Sequence, residues 1–380
     1  MDYIQEAKEL VKNLNQRMNP SPYDIGWMAR LKDESGGPRW PHLIDWLIEN
    51  QKPNGSWGSE IEYYHDRIIC TLSAIIALKE NGHTPEARQA IQRGERYVWN
   101  HLHLLRQDPF ESAGFELLMP SLLVEAQSLG LDVPLHTCGY GEIQTAKLRL
   151  IPSDMLYSPF ISTVYSLEFL GRGGDVSQIR KAKTSIGSIG NSPATTAYYL
   201  WLDQGHDAEA LNYLETVCCH DRGIITVYPF KTFELTWVLN NLLYTELPVT
   251  EFIDLDQLRA LQAQIGPKGI GFDETFTVTD GDTTSVTYRV LASAGLEPDP
   301  TGLAYFESKE KGVFRTWDYE RNVSVSANAH VLEALHLMPY YPNVQTIKDQ
   351  VTAGILEKQT YGIYWTDKWH ASPYLSLIHI

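Results

Sequence analysis

Basic residues are scarce in this chain of 380: 31 Lys and Arg stand against 47 Asp and Glu, a formal charge of −16. Nucleic acids and anionic membranes are held by cationic patches, so this balance argues against both as partners. An anionic small molecule would need a few placed cations or a metal ion. Cysteine is also sparse. Cys70, Cys138, Cys218 and Cys219 show neither CxxC spacing nor a Cys/His metal pattern, and four is few for a secreted disulfide scaffold. Reduced thiols in a cytoplasm are the expectation. No apolar run approaches the roughly 18 residues of a membrane span. Met1 to Met18 reads as an amphipathic, charged helix and not as a signal peptide.

What the chain does have is apolar bulk. Hydrophobic residues make up 43% of it, with 10 Trp and 21 Tyr, enough for a large core. The length suits two domains. Helical periodicity recurs at 67–81, 86–105, 121–130 and 327–337, separated by short breaks with Gly or Pro. Alternating patterns are confined to short pieces near Ile224–Val227 and Phe276–Val278. The expected fold class is all-α, with antiparallel helix pairs wound into α/α barrels that bury their apolar stripes on one another.

A weak internal repeat fits that architecture. Gln51, Gly55 and Trp57 recur in pattern as Gln359, Gly362 and Trp365. In each, a glycine turn follows a helix end. The Gln amide is expected to satisfy orphan backbone groups while the Trp packs across the turn.

The sequence Asp280-Gly281-Asp282-Thr283-Thr284 precedes a helical segment, Ser285 to Ala294. On its own it is readable as a turn with a helix cap. It is not an EF-hand, because the later ligands fall out of register. Two carboxylates two residues apart are alternatively readable as a pair sharing one proton, one acid oriented by its neighbour.

Five further stretches bear on that choice. Ser21-Pro22-Tyr23-Asp24-Ile25-Gly26-Trp27 resembles the S-x-Y-D-T-A-W opening of the class II diterpene cyclases. Trp46 to Gly58 is similar to their W-I-x-x-N-Q-x-x-D-G-S-W-G, and His65-Asp66-Arg67-Ile68-Ile69 to H-D-R-I-I/L. Gly114-Phe115-Glu116 with Pro120-Ser121-Leu122 resembles G-F-E-x-x-x-P-S-L, and Tyr165-Ser166-Leu167-Glu168 resembles H-S-L-E. The likeness runs from about residue 20 to Tyr374, and its bacterial members share a two-domain βγ architecture. It implies a terpenoid-cyclase toroid in which residues 1–20 plus 231–380 form a β-type domain, incomplete at its C-terminus, with residues 21–230 inserted as a γ-type domain. The site is expected between the two.

In that family the middle Asp of D-x-D-D protonates a terminal alkene or epoxide. The role falls on Asp282, with Asp280 orienting it and Thr283 and Thr284 supporting; Thr283 stands where the family has a third Asp. The substrate implied is a linear prenyl diphosphate, geranylgeranyl diphosphate first and farnesyl diphosphate, giving a drimenyl product, second. The diphosphate is retained, consistent with the lack of a D-D-x-x-D motif, and a class I terpene synthase acting on the product is the expected partner. Candidate cavity residues are Trp317, Tyr319, Trp365 and Trp369, with Tyr165 at the family's water-holding His and Thr226 near the partner Asn. Lys268 and Lys368 are the candidates for the diphosphate. Mg²⁺ is the implied cofactor, on Asp108, Glu111 and Glu116. Tyr165 in place of His implies a product other than ent-copalyl diphosphate, of rearranged halimadane or clerodane type.

A helical-barrel glycoside hydrolase would also use two carboxylates, but on separate loops some 5–9 Å apart. Squalene fits the segments less well, and a zinc prenyltransferase set of Asp, Cys and His is not found. The last six residues, Leu375-Ser376-Leu377-Ile378-His379-Ile380, read back to the transposase adapter CTG TCT CTT ATA CAC ATC. The expectation is a reading frame that runs into adapter and lacks its last helices, which makes an inactive fragment the third reading.

Overall fold

The computed structural model describes residues 3–218, 224–308 and 312–369, and the backbone of 375–376. The chain divides into two compact units, one of Met1–Arg17 with Pro229–Ile380 and one of Met18–Tyr228.

Helices in the Met18–Tyr228 unit begin where the sequence supplies proline at the first turn and a hydroxyl before it. Ser21, Thr84 and Ser192 accept the backbone N–H of Asp24, Ala87 and Thr195, and Pro22, Pro85 and Pro193 follow them. Proline costs nothing there because its missing N–H had no helical partner. The central helix, Tyr64–Asn81, is buried over most of its length. It packs against Pro22–Ala29, Pro85–His101 and Phe115–Ser128. The last of these starts six residues before the periodicity indicates, because Pro120 sits inside it and reads locally as a breaker.

In the other unit, Lys231–Leu242, Gly281–Ser293 and Val325–Leu337 are the three helices that matter for the site, referred to below as the tryptophan, acid and histidine helices. The acid helix packs between the other two. Tyr288 on its buried face joins Phe306, Phe314, Val331, Leu335 and Met338 in the core. Val290 and Leu291 join a second cluster with Leu239, Leu258 and Ile270. Two short antiparallel hairpins complete the described strands, Glu307–Ser308 with Val313–Phe314 and Tyr364–Trp365 with Leu375–Ser376. The two pieces expected to be strands, 224–227 and 276–278, are irregular instead. The remainder of the C-terminal hexapeptide lies outside the described residues.

The repeat seen in the sequence is a repeat of structure. Trp57 Nε1 donates to Leu47 O at 2.7 Å, and Trp365 Nε1 donates to Ile355 O at 2.8 Å. Each indole reaches ten residues back to a carbonyl near the end of the preceding helix. Gln51 Nε2 donates to Gly55 O and Ala90 O, both at 2.9 Å, as its amide was expected to do.

Candidate active site

The acid helix starts four residues earlier than its periodicity suggests, so the Asp-Gly-Asp turn forms its first turn. Asp280 is the N-cap: its Oδ1 accepts the Thr283 N–H at 2.6 Å. Gly281 follows because nothing larger fits. A Cβ there would lie 2.4 Å from Arg315 O and 3.1 Å from the Phe306 ring. Its N–H donates to Thr316 O at 2.9 Å, which fixes the 315–317 segment against the helix start. Thr284 ties the turn to the preceding loop by donating to Asp280 O at 2.6 Å and accepting Ile270 N–H at 3.0 Å.

Asp282 comes next in this turn, close to the helix's positive end. Its Oδ1 lies 2.7 Å from His330 Nδ1. His330 on the histidine helix is thus in contact with the Asp282 carboxyl, while Asp280 Oδ1 caps the helix. Burial works against the His330 imidazolium, but the Asp282 carboxylate beside it outweighs this and lifts its pKa above the usual value. Asp280 is buried more completely. That burial, reinforced by the nearby Asp282 charge against the Thr283 N–H, pushes its pKa up to about 7.

A run of aromatic rings leads away from His330. The Trp237 indole meets His330 edge to face at 4.8 Å, Phe233 lies 5.2 Å from Trp237, and Phe272 lies 5.6 Å from Phe233. Four buried polar atoms here have no protein hydrogen-bond partner: Asp280 Oδ2, Thr283 Oγ1, Thr316 Oγ1 and Trp237 Nε1. Polar atoms left open in this region are free to bind water or a ligand. A carboxyl held by an imidazole, with aromatic rings beside that imidazole, suits proton delivery to a weak base and tolerance of the cation that results.

His330, Trp237, Phe233 and Phe272 all escaped the reading of the sequence. The available signal was an imidazole just before the buried Val331 on the histidine helix. Of the residues that were singled out, Trp317 follows Thr316 beside the turn. Its ring meets Trp369 edge to face at 5.2 Å, with Lys368 Nζ 5.5 Å and 4.9 Å from the two ring centres. Lys368 is committed to Glu320 Oε2 at 2.6 Å and Asn322 O at 2.9 Å. Lys268 is exposed, with its ammonium 5.3 Å from the Tyr305 ring centre. Tyr319 is exposed at positive φ. Trp365 is buried, with its N–H donated to Ile355 O.

The three carboxylates expected to hold a metal have protein partners or neighbours of their own. Asp108 Oδ2 accepts from His65 N at 2.9 Å and lies 2.7 Å from His65 Nδ1. Glu116 is buried and paired with Lys147. With Glu111 they make no metal-holding group, and among the described residues no cluster of three His, Cys, Asp or Glu does so.

The motif residues of the Met18–Tyr228 unit are instead one another's anchors. Tyr23 donates to Glu168 Oε1 at 2.8 Å, Arg67 to Ser56 Oγ at 2.8 Å, and Ser121 to Phe169 O at 2.6 Å. Phe115 meets the His65 ring at 4.4 Å. Tyr165 donates to Thr226 O at 2.5 Å, so the two positions paired by sequence are neighbours. No helix among the described residues is long and apolar enough to cross a membrane.

No family model matches the chain. Individual proteins do. The type B diterpene cyclase of Mycobacterium tuberculosis is 30% identical over 97% of this chain and 76% of its own length. The chloroplastic copal-8-ol diphosphate hydratase of Cistus creticus subsp. creticus is 29% identical over 97% of this chain and 47% of its own. The ent-copalyl diphosphate synthase of Arabidopsis thaliana, solved in complex with (S)-15-aza-14,15-dihydrogeranylgeranyl thiolodiphosphate, superposes with a TM-score of 0.79 at 26% identity. It is matched over 93% of this chain and 52% of that one. The chain thus spans about three-quarters of the bacterial relative and about half of the plant ones. A helical toroid fold, a D-x-D turn at a helix start and likeness along nearly the whole chain agree: the chain belongs to the class II diterpene cyclases.

Proposed function

We propose that this protein cyclises a linear prenyl diphosphate by protonating its terminal alkene, leaving the diphosphate on a bicyclic product. Asp282 is the proton donor and geranylgeranyl diphosphate the substrate. The observation that carries the reading is the hydrogen bond between His330 Nδ1 and Asp282 Oδ1. It leaves Oδ2 to deliver the proton and stabilises the carboxylate left behind. Phe233, Trp237 and Phe272 supply the π faces that shield and stabilise a carbocation without attacking it. The unit containing Met18–Tyr228 is read as the inserted γ-type domain and the other as the β-type domain, in keeping with the chain entering and leaving the first once.

Tyr165 supports a product other than ent-copalyl diphosphate. By resemblance its position belongs to a water-holding His, and here the phenol is tied to the Thr226 carbonyl. A halimadane or clerodane skeleton follows if the cation rearranges before losing its proton.

The test is incubation with C10 to C20 prenyl diphosphates, with and without Mg²⁺, followed by dephosphorylation and GC-MS. A cyclic C20 alcohol is expected from the wild-type chain. Asp282→Asn keeps an acceptor for His330 and removes the proton, so it should lose about 10²–10⁴-fold in rate with an unchanged circular dichroism spectrum. Undiminished cyclisation by that variant overturns the assignment. Ent-copalyl diphosphate as the main product overturns the role given to Tyr165.

A further inference from the structure

Basic side chains are scarce in the chain, yet several gather at one cleft in the Met18–Tyr228 unit. The cleft has a volume of about 610 Å³. Four of its lining residues are basic and two acidic, against 31 basic and 47 acidic in the whole chain. Leu31, Leu200, Leu202, Leu211 and Trp201 supply its apolar wall. It lies where two helices end: Pro22–Ala29 runs into Arg30 and Leu31, and Pro193–Leu202 finishes in Leu200, Trp201 and Leu202. The opposite ends of the same helices carry Tyr23 and Thr195, which donate to Glu168 at 2.8 Å and 2.7 Å. Thr195 also donates to Tyr165 O at 2.9 Å. Eight residues of helix span about 12 Å, so the cleft and the Tyr165 position are separate places in this unit.

The four cations are not equivalent. Arg30 is buried and paired with Glu80 and Glu125, and its guanidinium lies 4.8 Å from the Trp201 ring centre. Arg39 pairs with Glu215 at 3.2 Å. Lys32 and Arg172 are exposed and have no carboxylate partner among the described residues. Arg172 lies instead over the Trp201 ring, 4.8 Å from its centre, a contact that holds the guanidinium at the cleft without neutralising it. Of the two acids, Glu80 is bound to Arg30, and Asp33 is turned back on its own loop, where Oδ1 accepts the Ser35 and Gly37 N–H groups at 2.9 Å and 3.1 Å.

We propose that this cleft binds an amphiphilic anion, with an apolar chain against the leucines and Trp201 and a phosphate or diphosphate head on Lys32 and Arg172. An uncharged lipid would leave both cations unused, and a bare anion would leave the leucines facing water. The site stands on its lining alone. That the protein's own substrate falls in the same chemical class rests on the function proposed above.

Decyl diphosphate is the probe, because it has the head and the chain but no alkene to protonate and so is not turned over. Its binding is read from the Trp201 indole N–H resonance, assigned with Trp201→Phe. A saturable shift of that resonance is expected, with inorganic diphosphate and decanol each binding about 10-fold more weakly or worse. Lys32→Glu combined with Arg172→Glu should weaken decyl diphosphate by about 10-fold or more. Leu211→Ser should weaken decyl diphosphate while leaving inorganic diphosphate unchanged. Lys32→Gln combined with Arg172→Gln adds no repulsion and should show part of the loss. Its cyclisation rate should match the wild type, since neither residue belongs to the unit that carries Asp282. Absence of a saturable shift, or equal affinity in the wild type and the glutamate variant, overturns the site. Inorganic diphosphate binding as tightly as decyl diphosphate overturns its apolar half, and decanol binding as tightly overturns its anionic half. Undiminished cyclisation by Asp282→Asn would strike the function proposed above and leave these titrations untouched.

Discussion

His330 Nδ1 stands 2.7 Å from Asp282 Oδ1, and the Trp237 indole closes on the same imidazole edge to face. The acid is thus held by a group from one neighbouring helix that is itself held by a ring from another.

Replacing His330 should separate orientation from folding. His330→Ala removes a charge-assisted hydrogen bond worth about 1.5–3 kcal/mol, equivalent to roughly 10- to 150-fold in kcat. His330→Asn keeps a donor of similar reach and should recover part of that loss. Steady-state kinetics on both variants, with melting temperatures alongside, check it; equal loss in the two variants would count against a hydrogen-bonding role.

Asp280 gives a prediction of opposite sign for stability. Its folded pKa, about 7, lies above the ordinary 3.8. Its relative stabilisation is therefore fully present below about 4 and is lost as pH rises through about 7. Asp280→Asn retains the cap on Thr283 N–H and carries no charge. The variant should melt higher than wild type at pH 8 and show a much smaller advantage at pH 5, with the gain at pH 8 on the order of a few kcal/mol at most. Thermal denaturation at the two pH values measures it, and an equal difference at both would show that burial of the charge is not the cause.

Gly281 is the only residue the turn admits. Gly281→Ala places a methyl group 2.4 Å from Arg315 O and against the Phe306 ring, so the helix start must shift. A loss of about 1–3 kcal/mol is expected, together with loss of cyclisation, because Asp282 moves with the helix start. Urea denaturation and product formation measure the two effects.

The sequence and the structure agree most closely where a local rule is strong. The helix expected at 86–105 starts at Pro85, where the Thr84 hydroxyl and a proline satisfy the first turn without help from distant residues. The paired Gln and Trp patterns likewise announced turns that proved to close in the same way. Asp280 and Asp282 were visible as a pair, yet their separate duties were not. Capping is decided by the backbone of the next three residues, whereas the hold on Asp282 comes from His330, 48 positions away. Phe233, Trp237 and Phe272 were equally hidden, since a ring that packs and a ring that faces a site have the same periodicity. The partners of Asp108 and Glu116 were hidden for a related reason: spacing shows carboxylates, but only the fold shows His65 and Lys147 beside them.

The two indole closures have a consequence for how the protein comes apart. Trp57 and Trp365 each bind a carbonyl only ten residues back, one in each unit. Contacts of such short span form early and cost little loop entropy. Each helix end thus carries its own short-span latch. A probe placed at either indole would report the melting of its own unit, so the chain contains two built-in thermometers, one at some distance along the sequence from the acid and one close to it.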